Sequence, residues 1–100
     1  MTRNPNDCTS MDQVREEIDR LDTQLIALLA ERWQFIGRAS QLKASPDEAV
    51  VPWRIEEVVK NVREHAESLG IPGGLAEDLW RRIIDWSIQH EEHVLKNKSS

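Results

Sequence analysis

Residues 14–45 read VREEIDRLDTQLIALLAERWQFIGRASQLKAS, and the spacing of their apolar side chains decides the fold. The apolar positions recur at steps of three and four along one line: Val14, Ile18, Leu21, Leu25, Leu28, Phe35, Ala39 and Leu42. This spacing is typical of the buried face of a packed α-helix. Ser10 can cap the helix, Gln13 can complete a capping box, and the next proline is Pro46. We therefore predict one helix from about residue 11 to about residue 43, roughly 50 Å long.

A helix of this length is too long for the fold of a small single chain, since a 100-residue domain has a radius of gyration of about 13 Å. It also carries a second apolar stripe, displaced around the helix from the first: Ile26, Leu29, Trp33 and Ile36. Two stripes need two sets of partners. We therefore expect a two-fold homodimer in which the long helices of two copies lie together.

Two shorter helices are predicted after the first. The second begins near Pro52, a residue suited to a first helical turn, and ends at Gly70. After a turn over the residues IPGG, the third runs from about Leu75 to about Lys96. The residues expected to be buried are Ile55, Val58 or Val59, Val62, Ala66 and Leu69 in the second helix, and Leu79, Trp80, Ile83, Ile84 and Val94 in the third.

Length and composition favour a single all-α domain over residues 1–100, with residues 1–9 and 97–100 as loose tails. The net charge of −5 argues against nucleic-acid binding, which normally uses a basic surface. Cys8 is the only cysteine, so no intrachain disulfide can form and a reducing compartment is expected. The start MTRNPNDCTS has no apolar stretch of the signal-peptide kind, and no apolar run approaches the ~20 residues of a membrane span. We therefore expect a cytoplasmic protein that binds no membrane.

Polar and charged residues interrupt the apolar stripes. Arg32 occupies one position of the first stripe, and Lys43, eleven residues on, returns to nearly the same face of the helix. Ser87 and Glu91 continue an apolar line of the third helix at steps of four. Because burying isolated charges costs several kcal/mol, this arrangement indicates a pocket for a small polyanion.

Two further arginines are candidates for the same pocket. Arg15 lies seventeen residues before Arg32 and points about 100° away from it, so it would join the pocket most simply from the second subunit. Arg54 lies in the first turn of the second helix, where the helix dipole disfavours a cation. An anionic ligand would remove that conflict, but Glu56 or Glu57 could do so equally well.

Other interpretations remain open at this stage. Arg32 could pair with Asp22 or Glu31 of a partner helix as an ion pair that sets the register of the two helices. His90 and His93 have the spacing of two ligands on one helix face, but nothing convincing supplies the further ligand that zinc requires. We therefore expect a solvated helix end there and no metal.

Three segments together resemble the all-helical (type II) chorismate mutase family over about residues 8–95: the stretch quoted above, VVPWRIEEVV at 50–59 and LWRRIIDWSIQHEE at 79–92. The resemblance implies an intertwined three-helix homodimer with two identical sites, each completed by the long helix of the other subunit. It also implies an enzyme that rearranges chorismate to prephenate and requires no metal or organic cofactor.

The resemblance also implies a role for each candidate residue. Those that would hold the substrate, mainly by its carboxylates, are Arg15 of the neighbouring subunit, Arg32, Arg54 and Ser87. Lys43 would stand beside the ether oxygen of the substrate, and Glu91 falls where a glutamine of the family donates to that oxygen. An ionised carboxylate would repel an oxygen that gains negative charge, so Glu91 should act only when protonated. We therefore expect activity to rise toward acid pH.

Two positions depart from the mutase pattern. Val51 and Ile55 stand where typical bacterial mutases have an acidic residue, whereas the isochorismate-pyruvate lyase branch of the family has apolar residues there. The segments DCTS and LKAS also resemble that branch, which makes salicylate and pyruvate. We therefore expect a chorismate mutase, with isochorismate-pyruvate lyase as the alternative. The alternative from another class is a non-catalytic dimerisation or regulatory module whose cations form structural ion pairs.

Overall fold

A computed structural model describes residues 2–98, and it contains three α-helices. These are α1 (Met11–Leu42), α2 (Pro52–Ser68) and α3 (Gly73–Lys98), with short 3-10 helices at Pro5–Asp7 and Pro46–Glu48. Residues 2–98 contain no β-strand. The predicted all-α class with one long first helix is confirmed. No helix within the described part of the chain has the length and apolar character needed to cross a membrane.

The chain divides into two compact units, Met1–Phe35 and Ile36–Ser100, with the boundary inside α1. The first unit, described from residue 2, contains the first 3-10 helix and most of α1. The second, described to residue 98, contains the end of α1, the second 3-10 helix, α2 and α3. The assignment of the whole chain to a single domain stays a prediction. Of the tails predicted to be loose, residues 1, 99 and 100 lie outside the described residues.

The start of α1 uses the predicted capping residues with one difference. Ser10 Oγ accepts the backbone N–H of Gln13 at 3.2 Å, as a helix cap should. The side chain of Gln13 reaches back to the N–H of Thr9, at 2.7 Å, and not to that of Ser10. The hydroxyl of Thr9 also donates to this side chain at 3.1 Å, so Thr9 supplies two hydrogen bonds there. The capping box is therefore displaced by one residue.

Arg3 ties the segment before α1 to the first turns of that helix. Its guanidinium donates to Glu16 at 3.0 Å and to Glu17 at 3.2 Å, and its backbone N–H donates to Glu17 at 3.3 Å. This backbone hydrogen bond, more than the neighbouring positive charges, holds the pKa of Glu17 below its usual range. Arg3 therefore gives the amino-terminal segment a defined attachment.

The apolar side chains of α1 in the first unit are largely exposed in the single chain. The exposed fractions are 56% for Leu25, 65% for Ile26, 62% for Leu28 and 69% for Phe35. These residues belong to the two stripes that the sequence predicts to be packed against partners. A contiguous surface of this kind marks an interaction site in a soluble protein.

The second unit has its own small core. Its buried apolar residues are Ala49, Val59, Ala66, Ala76, Ile84 and Leu95. The predicted burial was wrong for Leu69 and Leu79, which are 65% and 51% exposed in the single chain. Leu69 lies after the last residue of α2, and Leu79 lies about 140° around α3 from Ile84. Leu95, which is 1% exposed, was not among the predicted core residues.

Helix α3 begins two residues earlier than predicted. The carbonyl of Pro72 accepts the N–H groups of Leu75 at 3.1 Å and Ala76 at 3.4 Å, so Gly73 already lies in the first turn. The chain reverses at Gly70, whose φ of 83° lies in the left-handed region that favours glycine. The prediction of a turn over the residues IPGG was therefore wrong for its two glycines.

Ion pairs connect the antiparallel helices α2 and α3. Arg63 on α2 donates to Glu77 on α3 at 2.8 Å, and Arg81 on α3 donates to both oxygens of Glu56 on α2 at 3.2 Å. Arg81 also donates to Glu77 at 2.9 Å. The hydrogen bond from Arg81, followed by that from Arg63, holds the pKa of Glu77 below its usual range. Glu77 therefore pairs with two arginines, one on each helix.

Replacing Glu77 by glutamine is expected to lower the thermal midpoint of unfolding at neutral pH and to reduce its acid dependence. Because the folded pKa of Glu77 is depressed, its stabilisation is present above the usual glutamate pKa of 4.5 and is lost as pH falls through the lower folded value. Thermal unfolding of wild type and E77Q across acid pH measures this. The exposed Glu64→Gln on α2 is the matched control. Parallel pH profiles for wild type and E77Q would contradict the prediction.

Candidate active site

Three polar side chains are buried within the described part of the chain, and all of them lie in the second unit. They are Ser40, which is 0% exposed, Ser87 at 5% and Glu91 at 4%. Ser87 and Glu91 are four residues apart on α3, so their side chains lie one turn apart on the same face. Buried polar groups are costly unless they have partners, and they often mark functional sites.

Lys43 supplies the positive charge of this cluster. It follows the last residue of α1, and its backbone N–H still donates to the carbonyl of Ala39, at 3.1 Å. Its Nζ donates to both carboxylate oxygens of Glu91, at 3.2 Å each. The side chain of Lys43 is 25% exposed and that of Glu91 is 6% exposed. The pair therefore joins a buried carboxylate to an ammonium group that still reaches the surface.

Ser87 provides a hydroxyl one turn before Glu91. Its Oγ donates to the carbonyl of Ile83 at 2.9 Å, a bond that satisfies its proton within the helix. A hydroxyl oxygen has two lone pairs, so it can accept hydrogen bonds as well as donate one. The hydroxyl can also rotate to donate to a ligand at the cost of the bond to Ile83. Ser87 is therefore suited to positioning a polar ligand and not to initiating a reaction.

Ser40 is a buried polar residue that the sequence analysis missed. Its Oγ donates to the carbonyl of Ile36 at 3.1 Å. The pattern that could have found it is the second apolar stripe of α1, because Ser40 lies four residues after Ile36 and Lys43 three residues after Ser40. The apolar line on α3 continues into the polar residues Ser87 and Glu91. The second stripe of α1 continues in the same way beyond Ile36, but the prediction ended it there.

The three candidate arginines are placed differently. Arg54 is exposed and donates to Glu57, so the structure contains the local pair that the sequence had left open as an alternative. Arg15 is also exposed, and its Nη1 lies 3.5 Å from Oδ1 of Asp12. Arg32 is half-buried. Arg15 and Arg32 belong to the first unit. In the second unit the structure pairs Lys43 with Glu91 and places Ser87 one turn from Glu91. The roles of the three arginines stay predictions.

The side chains of the cluster define what chemistry it can perform. An ammonium group stabilises an oxygen that gains negative charge, and a hydroxyl orients a polar ligand. A carboxyl group donates a hydrogen bond when protonated and only accepts when ionised. Among residues 2–98, no group of three or more histidine, cysteine, aspartate and glutamate side chains is placed to hold a metal ion. The ammonium group and the hydroxyl suit the stabilisation and orientation of a ligand oxygen that gains negative charge.

Comparison with known proteins assigns the chain to a family. The fold is all-helical, and its candidate site pairs a partly exposed lysine with a buried glutamate beside a buried serine. The model of the family described as Chorismate mutase type II matches residues 14–92, and the chain belongs to that family. The matched region includes Arg15, Lys43 and Glu91.

Curated relatives fall into two groups by length. The isochorismate pyruvate lyase of Pseudomonas aeruginosa is 32% identical over 89 residues, which cover 89% of this chain and 88% of the relative. A T-protein of Enterobacter agglomerans is 33% identical over 79 residues, or 78% of this chain, and one of Haemophilus influenzae is 31% identical over 83 residues, or 82%. The chain spans only 21% and 22% of these two T-proteins. It is therefore similar in extent to the lyase and to a segment of the T-proteins.

Proposed function

We propose that this protein is a pericyclic enzyme that converts chorismate to prephenate. The observation that carries the proposal is the buried pair of Lys43 and Glu91, with Nζ 3.2 Å from both carboxylate oxygens and Ser87 one turn away. The family supports an enzyme of the chorismate mutase type. The substrate of such an enzyme is a dicarboxylate with an ether oxygen, and the ammonium group of Lys43 could stabilise that oxygen.

The rearrangement needs positioning and charge, and it needs no covalent intermediate and no general base. The flexible enolpyruvyl arm must be held over the ring, and the ether oxygen must be stabilised as the C–O bond breaks and electrons collect there. In our proposal Lys43 stabilises this oxygen and Glu91 donates to it when protonated. Ser87 positions the substrate. Ser87 and Glu91 lie within α3 and Lys43 directly follows α1, so helical backbone positions these groups before the ligand binds.

The resemblance to the family extends the proposed site to the three arginines and to a second subunit. Arg32 and Arg54 would hold substrate carboxylates, and the partner subunit would supply Arg15. For Arg54 this requires its guanidinium to leave Glu57, which is an exposed pair and therefore weakly held. The exposed apolar stripes of α1 support a homodimer, because a second copy would cover them.

The test of the proposed function is product analysis. Purified protein incubated with chorismate is expected to form prephenate well above the rate of the uncatalysed reaction. Product is identified by chromatography and by its acid conversion to phenylpyruvate. An unchanged chorismate concentration in the presence of folded protein would contradict the proposal.

A second candidate function is that of an isochorismate-pyruvate lyase. Half-buried Val51 and Ile55 favour it, because they place apolar surface where the mutase pattern has acidic residues. The relative of similar length has this name. Incubation with isochorismate would then give salicylate and pyruvate. The two candidates are separated by the ratio of kcat/KM for the two substrates, measured with the same preparation of protein.

A non-catalytic helical module would behave differently from either enzyme. Both enzymes are expected to bind a bicyclic ether dicarboxylate that mimics the transition state, and ligand binding to the folded state raises the thermal midpoint. A module whose cations are occupied by structural ion pairs would show no such shift. A thermal scan of the intact protein with and without the mimic therefore distinguishes the classes.

The proposed role of Glu91 predicts an unusual pH dependence. Wild-type activity is expected to rise from neutral toward acid pH, because only the protonated carboxyl group donates to the ether oxygen. In E91Q the amide donates at any pH, so its activity should be nearly independent of pH and higher than wild type at neutral pH. Initial rates of both proteins across this range measure the effect. A wild-type rate that is flat from acid to neutral pH would contradict the prediction.

A further inference from the structure

The first turns of α1 are an acidic surrounding for Arg15. Acidic residues outnumber basic ones over residues 12–22, and Glu16 and Glu17 directly follow Arg15. They lie about 100° and 200° around the helix from it, at axial distances of about 1.5 and 3 Å. Because an α-helix with its side chains is only about 10–12 Å across, both carboxylates act on an anion held at Arg15. Unless their charge is offset, they oppose the binding of a ligand carboxylate by this arginine.

Arg3 brings a positive charge onto both of these carboxylates. The short 3-10 helix Pro5–Asp7 lies between Arg3 and α1, and the chain turns there so that Arg3 reaches the helix. Its Nη1 lies 3.0 Å from Oε2 of Glu16 and 3.2 Å from Oε2 of Glu17. One guanidinium group is therefore shared between the two glutamates, and it comes from outside the helix that carries them.

The contact between Arg3 and Glu17 is less hydrated than an ordinary surface ion pair. The side chain of Glu17 is only 14% exposed. The backbone N–H of Arg3 also donates to it, at 3.3 Å, so the main chain and the side chain of Arg3 hold the same carboxylate. Arg20 donates to Glu17 as well, at 3.0 Å. Since partly buried charges are screened less by water and salt, these partners offset the charge of Glu17 effectively.

We infer that Arg3 is a positioning residue of the proposed site: it neutralises the two glutamates that follow Arg15, so that Arg15 can hold a ligand carboxylate. The inference rests on the proposed function, in which α1 of the neighbouring subunit supplies Arg15. It adds to that function a residue that acts without touching the ligand. The charge of Arg3 changes the affinity for a dianionic ligand and leaves the reaction at Lys43 unaffected. Loss of Arg3 should therefore raise KM and leave kcat nearly unchanged.

Titration calorimetry of the intact protein with the bicyclic ether dicarboxylate mimic tests this inference. Arg3→Ala is expected to raise the dissociation constant about three- to fivefold, an effect of the size that exposed charge pairs have. In initial-rate measurements with chorismate, KM should rise by a similar factor, and kcat should stay within about twofold of wild type. At about 1 M salt the screening length is about 3 Å, so wild type and R3A should bind the mimic with equal affinity.

Three further variants separate charge neutralisation from a merely structural role. In R3A/E16Q/E17Q the attachment by Arg3 is absent and so are the two negative charges, and the mimic should bind at least as tightly as to wild type. Arg3→Lys keeps the charge and should bind the mimic within about twofold of wild type. Arg38→Ala is the matched control, because it removes one positive charge from an exposed side chain of α1 that donates to the neutral Gln41. R38A should keep the affinity of wild type.

The possible results separate this inference from the proposed function, with circular dichroism checking that each variant is folded. Binding of the mimic by wild type and R3A with the same dissociation constant would leave the proposed function intact and overturn the inference. A triple variant as weak as R3A would assign the effect to ordering of the amino-terminal segment, and an equal loss in R38A would assign it to net charge; either result would overturn the inference. Absence of binding to folded wild type would overturn both. A loss in R3A that is removed in the triple variant and at high salt would support it.

Discussion

Replacing Lys43 by alanine is expected to lower kcat for the proposed rearrangement by about 10²–10³-fold or more, since removal of one preorganised charge-stabilising donor costs that much in enzymes. The ammonium group is the cation that the structure places on Glu91, and it is 25% exposed, so a ligand can reach it. The other two members of the cluster, Ser87 and Glu91, carry no positive charge that could replace it. Steady-state kinetics of wild type and K43A with the same substrate measure the loss.

Two controls make this result specific. In K43A the buried Glu91 loses its counterion, and a buried unpaired charge destabilises a fold by several kcal/mol. The double variant K43A/E91Q removes that charge, so it should recover stability without recovering activity. Lys60→Ala, an exposed lysine on α2, should leave kcat/KM within about twofold of wild type. A fall of less than about threefold in K43A would contradict the proposed role of Lys43.

Introducing a charge into the exposed apolar stripe of α1 is expected to abolish both the dimer and the activity. Leu28 is 62% exposed in the single chain, and a Leu28→Asp change would place two carboxylates in a two-fold interface, one from each subunit. In each subunit, the substitution also removes about 1.5–3 kcal/mol of stabilisation that comes from burying the leucine side chain. The wild type should sediment at about 23 kDa, twice the chain mass of 11.6 kDa, and L28D at about half of that.

Gln34→Asp is the matched control for the dimer. Gln34 is exposed and lies about 180° around α1 from the centre of the two apolar stripes, so its replacement adds the same charge to the opposite face. Q34D should remain dimeric and active. A monomeric wild type with full activity would contradict the shared site, and a fully active dimer of L28D would contradict the proposed interface.

The sequence predicts the helices of this protein well because their signals are local. The apolar period of α1, Ser10 at its start and Gly70 after α2 act over one or two turns, and the structure agrees with each of them to within a few residues. The start of α3 was misplaced because the carbonyl of Pro72 accepts the first helical hydrogen bonds. From composition alone, a helix that starts at these glycines cannot be distinguished from a turn that contains them.

Burial and the site were harder to predict, for a physical reason. A helical stripe shows which face is apolar, but it does not show whether the covering partner lies in the same chain. Leu79 belongs to a predicted buried line and is 51% exposed in the single chain. Polar interruptions of the stripes were more informative, because they located Lys43, Ser87 and Glu91. The same signal would have located Ser40 if the second stripe of α1 had been followed to its end.

The structure also gives Glu91 a specific partner. The resemblance stated from the sequence implies a glutamine at the position of Glu91, but it did not show what would stabilise the charge of a carboxylate there. Its two hydrogen bonds to Lys43 provide that stabilisation and connect the unusual residue with the proposed catalytic lysine. Glu91 is therefore the residue on which this protein should differ most from relatives with a glutamine at that position.

A crystal structure of the protein with the bicyclic ether dicarboxylate mimic would test the proposed site most directly. We expect a homodimer with the ether oxygen of the mimic within hydrogen-bond distance of Lys43 Nζ and the carboxyl group of Glu91. We also expect Arg32, Arg54 and Arg15 of the second subunit to contact the carboxylates of the mimic. A mimic bound away from Lys43, or a site complete within one chain, would contradict the proposed site.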